Sequence, residues 1–306
     1  MFAAAGGIFG AKTARLSLLA QALPELALAL AAVSAGYPEI VIPIVLGSSL
    51  ALVLLAAGIA AIAAKKLAVR EDCSRIDAPL FAAALAIFYF CARDGQVVFG
   101  EGVFLMLSFL AVLPLVFRGR PEEFGPRDLI SPGFLFSGRR IFQVVAERFD
   151  YDAALVRKNV YKSFLAALAS VFILAFSAGF VVESLVNIDA IIMFPAAVLS
   201  VSILAVALAL PEILTSVKNI RQNRYEPVLG NVFAGALINI LLICGVAAIF
   251  SPLSADGLVL NLGLPFLIVA VVLLTLSSFS RKIIIEQGWL YVILYILFLV
   301  KLFGLF

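Results

Sequence analysis

The chain has 306 residues, of which 64% are hydrophobic and 13% charged, with a formal net charge of +3 and a mean hydropathy of +1.16. A soluble domain carries about 25% charged and about 45–50% apolar residues, so this much apolar surface calls for lipid as its solvent. Histidine is absent, which removes zincin and Ser-His chemistry, and the charge balance gives no nucleic-acid signal.

Residues 1–10 are apolar but too short to span, and they lack the basic start of a cleaved leader. A spanning helix needs about 20 mostly apolar residues. Nine stretches meet that demand: 16–34, 39–63, 76–92, 96–117, 163–186, 190–217, 227–250, 258–279 and 283–305. The third is short and closes on a tight turn at Arg93-Asp94-Gly95. Cys73, Cys91 and Cys244 lie far apart and form no C-x-x-C pair, so neither a disulfide framework nor a zinc site is indicated. The expected fold is an all-α, polytopic transmembrane helical bundle.

The one long polar connection, 118–162, separates a first half, 1–117, from a second half, 163–306. Within it, from Ser137 to Lys162, Ile141, Val144, Val145, Phe149, Leu155, Val156 and Val160 are spaced as on an amphipathic helix lying at the membrane surface. Lys and Arg concentrate on the cytoplasmic side of membrane proteins. Nine spans with a cytoplasmic N-terminus leave only Arg93 and Lys301, of 22 basic residues, on the far side. The expectation is therefore an integral multi-pass protein of the cell (inner) membrane, with the N-terminus and the 118–162 loop in the cytoplasm.

An internal repeat runs through the two halves. The offset that places Pro24-Glu25 on Pro211-Glu212 also places Glu39 on Glu226, Leu50 on Leu237 and Gly58 on Gly245. Ala60, Ala61 and Ile62 then meet Ala247, Ala248 and Ile249. The first copy turns near Gly36 and the second near Asn223, and the two enter the membrane from opposite sides. Inverted repeats of this kind belong to secondary transporters, whose ion sites lie where the repeats meet.

Glu25 and Glu212 each stand inside an apolar span directly after a proline. An intramembrane carboxylate is costly and marks a functional position. Proline removes a helical hydrogen bond and frees a carbonyl one turn earlier, so each Pro-Glu segment is expected to be kinked or broken. A freed carbonyl beside a carboxylate supplies the hard oxygens that Na⁺ or Ca²⁺ prefers. The pair is expected to lie close together near the midplane.

At this point the residues resemble a family. The segment Ala207-Leu-Ala-Leu-Pro-Glu-Ile-Leu-Thr-Ser216, followed by Gly230-Asn-Val-Phe-Ala-Gly-Ala-Leu-Ile-Asn239, is similar to the second signature repeat of sodium/calcium exchangers, in the cation/calcium antiporter superfamily. Pro24-Glu25-Leu26 with Gly47-Ser48-Ser49-Leu50 resembles the first. The resemblance implies a ten-helix, 5+5 fold in which the two Glu carboxylates coordinate Ca²⁺ and Na⁺ in turn. The present chain then has 4+5 spans and lacks the helix that precedes the first repeat. The implied metal-ligand set is Glu25, Glu212, Ser49, Gln21, Ser48 and Asn239.

Departures from the family are equally legible. Its Gly-Thr-Ser is Ala20-Gln21-Ala22 in one repeat and Ala207-Leu208-Ala209 in the other, so hydroxyls of the sodium sites are missing. The amide or acid expected to face the Glu from the partner helix is Ser49 in one repeat and Ala236 in the other. Two readings follow. One is a cation antiporter exchanging Ca²⁺ or a similar cation for Na⁺ or H⁺, with protons carrying more of the counter-transport than in the sodium-linked relatives. The other is a non-transporting relative acting as a structural or regulatory membrane subunit. Neither reading calls for an enzyme, a catalytic residue, a cofactor or a nucleic-acid partner; the expected partners are the transported cations and the bilayer.

Overall fold

The computed structural model describes residues 22–71, 73–116, 153–192, 195–254 and 257–304. These form nine helices. The first half holds α1 (Leu23–Ser34), α2 (Pro38–Ala64), α3 (Cys73–Ala92) and α4 (Phe99–Val116). The second half holds α5 (Ala153–Ile192), α6 (Ala196–Arg221), α7 (Pro227–Phe250), α8 (Gly257–Phe279) and α9 (Ile285–Leu302). Seven of the nine are long and apolar enough to cross a membrane, and α1 and α4 are shorter apolar helices.

Helices α2 and α7 are the most buried of the seven. A helix that is apolar on all sides belongs in the centre of a membrane bundle. The outer helices turn Phe104, Phe172, Phe176, Phe180 and Trp289 outward, where lipid would be their solvent.

Four short strands set the directions of the chain. Strand β1 (Lys66–Ala68) pairs antiparallel with β4 (Lys282–Ile284), with Leu67 opposite Ile283. Strand β2 (Gln96–Val97) pairs antiparallel with β3 (Leu253–Ser254), with Val97 opposite Leu253. Helix α3 runs between β1 and β2, so the two ribbons lie at opposite ends of the bundle. Helix α2 leads into β1 and α7 into β3, so these repeat-related helices point in opposite directions. The offset that carries Pro24 to Pro211 also carries β1 onto β3, and β2 onto β4. The architecture is an inverted-topology repeat.

The same symmetry extends to detail. The α1–α2 turn holds Gly36 at φ +86°, and the α6–α7 turn holds its mate Asn223 at φ +57°. Glycine adopts that left-handed conformation freely, and asparagine is among the few other residues to tolerate it. Tyr37 N donates to Ala32 O at 2.8 Å, and the equivalent Arg224 N donates to Asn219 O at 2.9 Å. A π-helical turn interrupts α2 at Ala51–Ala56 and α7 at Ile238–Ile243, at equivalent positions.

Glycine permits two equivalent helix crossings. A Cβ on Gly58 of α2 would lie 2.9 Å from Gly288 O of α9, and one on Gly245 of α7 would lie 3.0 Å from Gly102 O of α4. Small residues let membrane helices approach backbone to backbone, where dispersion drives association.

Two boundaries differ from expectation. The spans expected at 163–186 and 190–217 meet later: α5 starts at Ala153 and continues to Ile192. The next helix begins at Ala196, directly after Pro195, and Asp189 Oδ2 accepts from Ala196 N at 3.1 Å across the corner. The last ten residues of the expected amphipathic segment 137–162 therefore belong to α5, while residues 137–152 lie outside the described residues. The second difference is that the helix expected to be kinked or broken at Pro211 is not broken there. Helix α6 is continuous through it to Arg221, and the irregular turn lies earlier, at Ser200–Leu204. Pro24 sits in the first turn of α1, where a helix does not use the missing N–H.

Candidate functional site

Each repeat brings its glutamate inward by the same geometry. Leu23 and Leu210, equivalent residues, are 40% and 48% exposed on the outer surface, whereas Glu25 and Glu212, two positions further on, are only 6% and 7% exposed. In a helix, neighbours two residues apart lie on opposite faces. The apolar residue thus anchors the lipid side and the carboxylate faces the bundle.

The helices that carry the carboxylates pack across the repeat boundary. Helix α1 touches the Ile238–Ile243 turn of α7, and α6 touches the Ala51–Ala56 turn of α2. A π-turn widens the helix locally and is a frequent mark of functional sites. At the α2–α6 contact, a Cβ on Gly47 would lie 2.7 Å from both Cα and O of Val201. No side chain fits there.

Polar groups converge on this layer. Asn239 Nδ2 donates to Ser48 Oγ at 2.9 Å, a buried bond that joins α7 to α2. Ser48 Oγ also lies 3.3 Å from Val45 O. The side chain of Asn231 lies near Glu212. Glu25 Oε2, Glu212 Oε1, Ser49 Oγ and Ser216 Oγ are buried without a hydrogen-bond partner among the described residues. Buried polar atoms in native proteins are nearly always satisfied, so four orphans in contacting helices invite a ligand.

Of the six residues named from the sequence, the structure places Glu25, Glu212, Ser48, Ser49 and Asn239 in buried positions on α1, α2, α6 and α7; Gln21 lies outside the described residues. The position expected to face the glutamate, Ser49 with its mate Ala236, is not where the repeats exchange a polar contact. That contact falls at Ser48 and Asn239. Asn231 and Ser216 were missed. Asn231 was legible as the residue after Gly230, but its repeat mate is Ile44, so the symmetry gave it no support.

A family model described as sodium/calcium exchanger protein matches residues 16–118 and 162–304. The chain belongs to the sodium/calcium exchanger family. The stretch between the two matched segments coincides with the polar connection that separates the repeats. Among relatives, the chain is 25% identical over 278 residues to inner membrane protein YrbG of Escherichia coli (strain K12), covering 85% of this chain and 75% of that one. It is 30% identical over 147 residues to sodium/calcium exchanger MaX1 of Methanosarcina acetivorans, covering 48% of this chain and 41% of that one. The chain thus matches less than half the length of the latter relative.

Solved structures of exchangers share the fold. The sodium-calcium exchanger NCX_Mj, soaked with 2.5 mM Na⁺ and 10 mM Sr²⁺, superposes with a TM-score of 0.61 at 20% identity, covering 92% of this chain and 83% of that one. The H⁺/Ca²⁺ exchanger CAX gives 0.69 at 16% identity, covering 92% and 73%. At these identities the likeness is one of fold. This family member is an integral multi-pass membrane protein of the exchanger type.

Proposed function

We propose that the protein is a secondary-active cation antiporter, exchanging Ca²⁺ or a similar cation for H⁺ or Na⁺ by alternating access. Glu25 and Glu212 are shared carboxylates that hold one ion species or the other. One observation carries this reading: two repeat-related carboxylates, both buried, each keep one oxygen without a hydrogen-bond partner among the described residues. Two like charges in a buried site are costly unless cations neutralise them.

The donor set suits a hard cation. Ca²⁺ takes six to eight oxygens, whereas soft ligands select other metals. Glu25 and Glu212 offer carboxylate oxygens, Ser48 and Ser49 hydroxyls, and Asn239 an amide oxygen. Pro211 lacks an N–H, so the carbonyl of Ala207 has no helical donor and supports the same set. Among the described residues, no group of three or more His, Cys, Asp or Glu gathers in one place. The ligand field is thus weaker than a cage of carboxylates, as suits a site that must release its ion.

Alternating access would rock the two repeats about this layer, where α1 and α6 each rest on the opposite repeat's π-turn. The basic residues Lys65, Lys66, Arg70, Arg75, Arg281 and Lys282 gather at the β1–β4 end, which favours that end, and with it the N-terminus, as cytoplasmic in the cell membrane. The test is Ca²⁺ flux in proteoliposomes, with wild type compared against Glu25→Gln and Glu212→Gln. Gradient-driven flux abolished by either substitution supports antiport. A folded wild type that moves no cation under any imposed gradient supports the second reading, a structural or regulatory subunit.

A further inference from the structure

The repeat offers a control internal to the chain. The offset that carries Pro24 to Pro211 carries Ser48 to Gly235 and Leu52 to Asn239. The Asn239–Ser48 hydrogen bond therefore has a symmetry mate, and that mate is the contact of Leu52 with Gly235. A Cβ built on Gly235 would lie 3.2 Å from Leu52 Cδ1. One contact is a 2.9 Å hydrogen bond and the other is a close apolar fit, at equivalent places in the two repeats. Helix segment Val41–Leu50 packs on the Ile238–Ile243 turn, and segment Glu226–Leu237 packs equivalently on the Ala51–Ala56 turn.

The exchange conserves shape and removes oxygen. Leucine and asparagine share the same heavy-atom branching at Cγ, so the bulkier Leu52 occupies the place of an asparagine while offering no donor or acceptor. Glycine at 235 removes the hydroxyl that would have paired with it. Ser49 and Ala236 follow the same pattern, a hydroxyl in the first repeat and a methyl in the second. Leu52 and Asn239 are 5% and 2% exposed, so neither position is a surface accident.

We propose that Leu52 is a specificity-determining residue that closes one flank of the carboxylate pair, so that the site takes a single cation at a time, on the Ser48–Asn239 flank. The proposal rests on the antiporter reading above. A cation that sheds its water must be given oxygens in exchange. The Ser48–Asn239 flank has them. The Leu52–Gly235 flank has none from its side chains, so a second cation bound there would lose its hydration without replacement.

The test uses the full chain in detergent, with Ca²⁺ binding followed by calorimetry and Na⁺ displacement of bound Ca²⁺ by titration. Wild type should bind one Ca²⁺ per chain, and Na⁺ should displace it with a Hill slope near 1 or not displace it. The variant L52N/G235S restores the mate of the polar contact, and its Na⁺ displacement should steepen toward a slope of about 2. The variant S48G/N239L instead makes both flanks apolar, using a side-chain pair this backbone already accommodates, and should weaken Ca²⁺ binding by tenfold or more. Wild type that binds two or more cations overturns the inference and leaves antiport intact. So does a folded L52N/G235S with an unchanged slope, or S48G/N239L with wild-type binding. Wild type that binds neither Ca²⁺ nor Na⁺ overturns the antiporter reading, and the inference with it.

Discussion

Asn239 of one repeat donates its side-chain amide to Ser48 Oγ of the other across 2.9 Å, and both residues are buried in the layer on which the two glutamate helices rest. The bond fixes the asparagine in one orientation, with Nδ2 committed and Oδ1 turned elsewhere. Removing the serine hydroxyl releases that orientation. Partners that orient ligands are worth about 10- to 100-fold in metal affinity. Ser48→Ala should therefore lower Ca²⁺ affinity by about that factor while leaving helical content unchanged, measured by Ca²⁺ titration alongside circular dichroism.

Protons and cations compete for the same oxygens in this account. A protonated Glu25 or Glu212 loses its charge and half its accepting capacity, so Ca²⁺ binding should weaken as pH falls. The sign for transport follows: vesicles that are acid inside lose H⁺ and take up Ca²⁺. With Ala20, Ala22, Ala207 and Ala209 where the family carries Gly or hydroxyl residues, a Na⁺ gradient alone should drive uptake less well than a pH gradient. Uptake rates under each gradient, imposed separately, decide the point.

The equivalent glycine crossings should be among the least forgiving positions of the described residues. A Cβ at Gly58 meets Gly288 O at 2.9 Å, and one at Gly245 meets Met106 N at 2.9 Å. Backbone cannot step aside as a side-chain tip can. Overpacking a tight core costs typically about 1–3 kcal/mol. Gly58→Val and Gly245→Val should each lower thermal stability in detergent by several degrees, whereas Gly100→Ala, with nothing within 4 Å of the added carbon, should not.

Charge pairs at the β1–β4 end should contribute little. Glu71 bridges Arg75 at 2.8 Å and Arg281 at 3.2 Å, but the arginine side chains are 71% and 69% exposed. Exposed pairs are worth about 0–1 kcal/mol. Glu71→Gln should therefore change the thermal midpoint far less than either glycine substitution in the same assay.

The helices and their inverted arrangement were legible because the two signals are strong and local. Apolar runs near membrane length mark spans, and Pro-Glu, Glu and Gly recurring at one offset mark a repeat. What was illegible has a physical reason in each case. Leu52 reads as one more apolar residue until its equivalence to Asn239 is paired with the Ser48 contact, which needs coordinates. The continuity of α6 through Pro211 could not be read from the proline, since a bundle can carry a missing hydrogen bond without breaking the helix. The ends of α5 depend on the corner that Asp189 and Ala196 make, a contact across seven residues. Asn231 beside Glu212 has no counterpart at Ile44, and a search by symmetry passes over it.

The most direct test of the central claim, that Glu25 and Glu212 form one shared exchange site, is Ca²⁺ uptake into proteoliposomes with an acid interior, measured for wild type, E25Q, E212Q and E25Q/E212Q at matched protein levels. The account predicts robust uptake by wild type and background uptake by all three variants, each single substitution costing as much as the double, because groups that act as one unit are not additive. Partial and multiplicative losses, or uptake unchanged by either substitution, would contradict it.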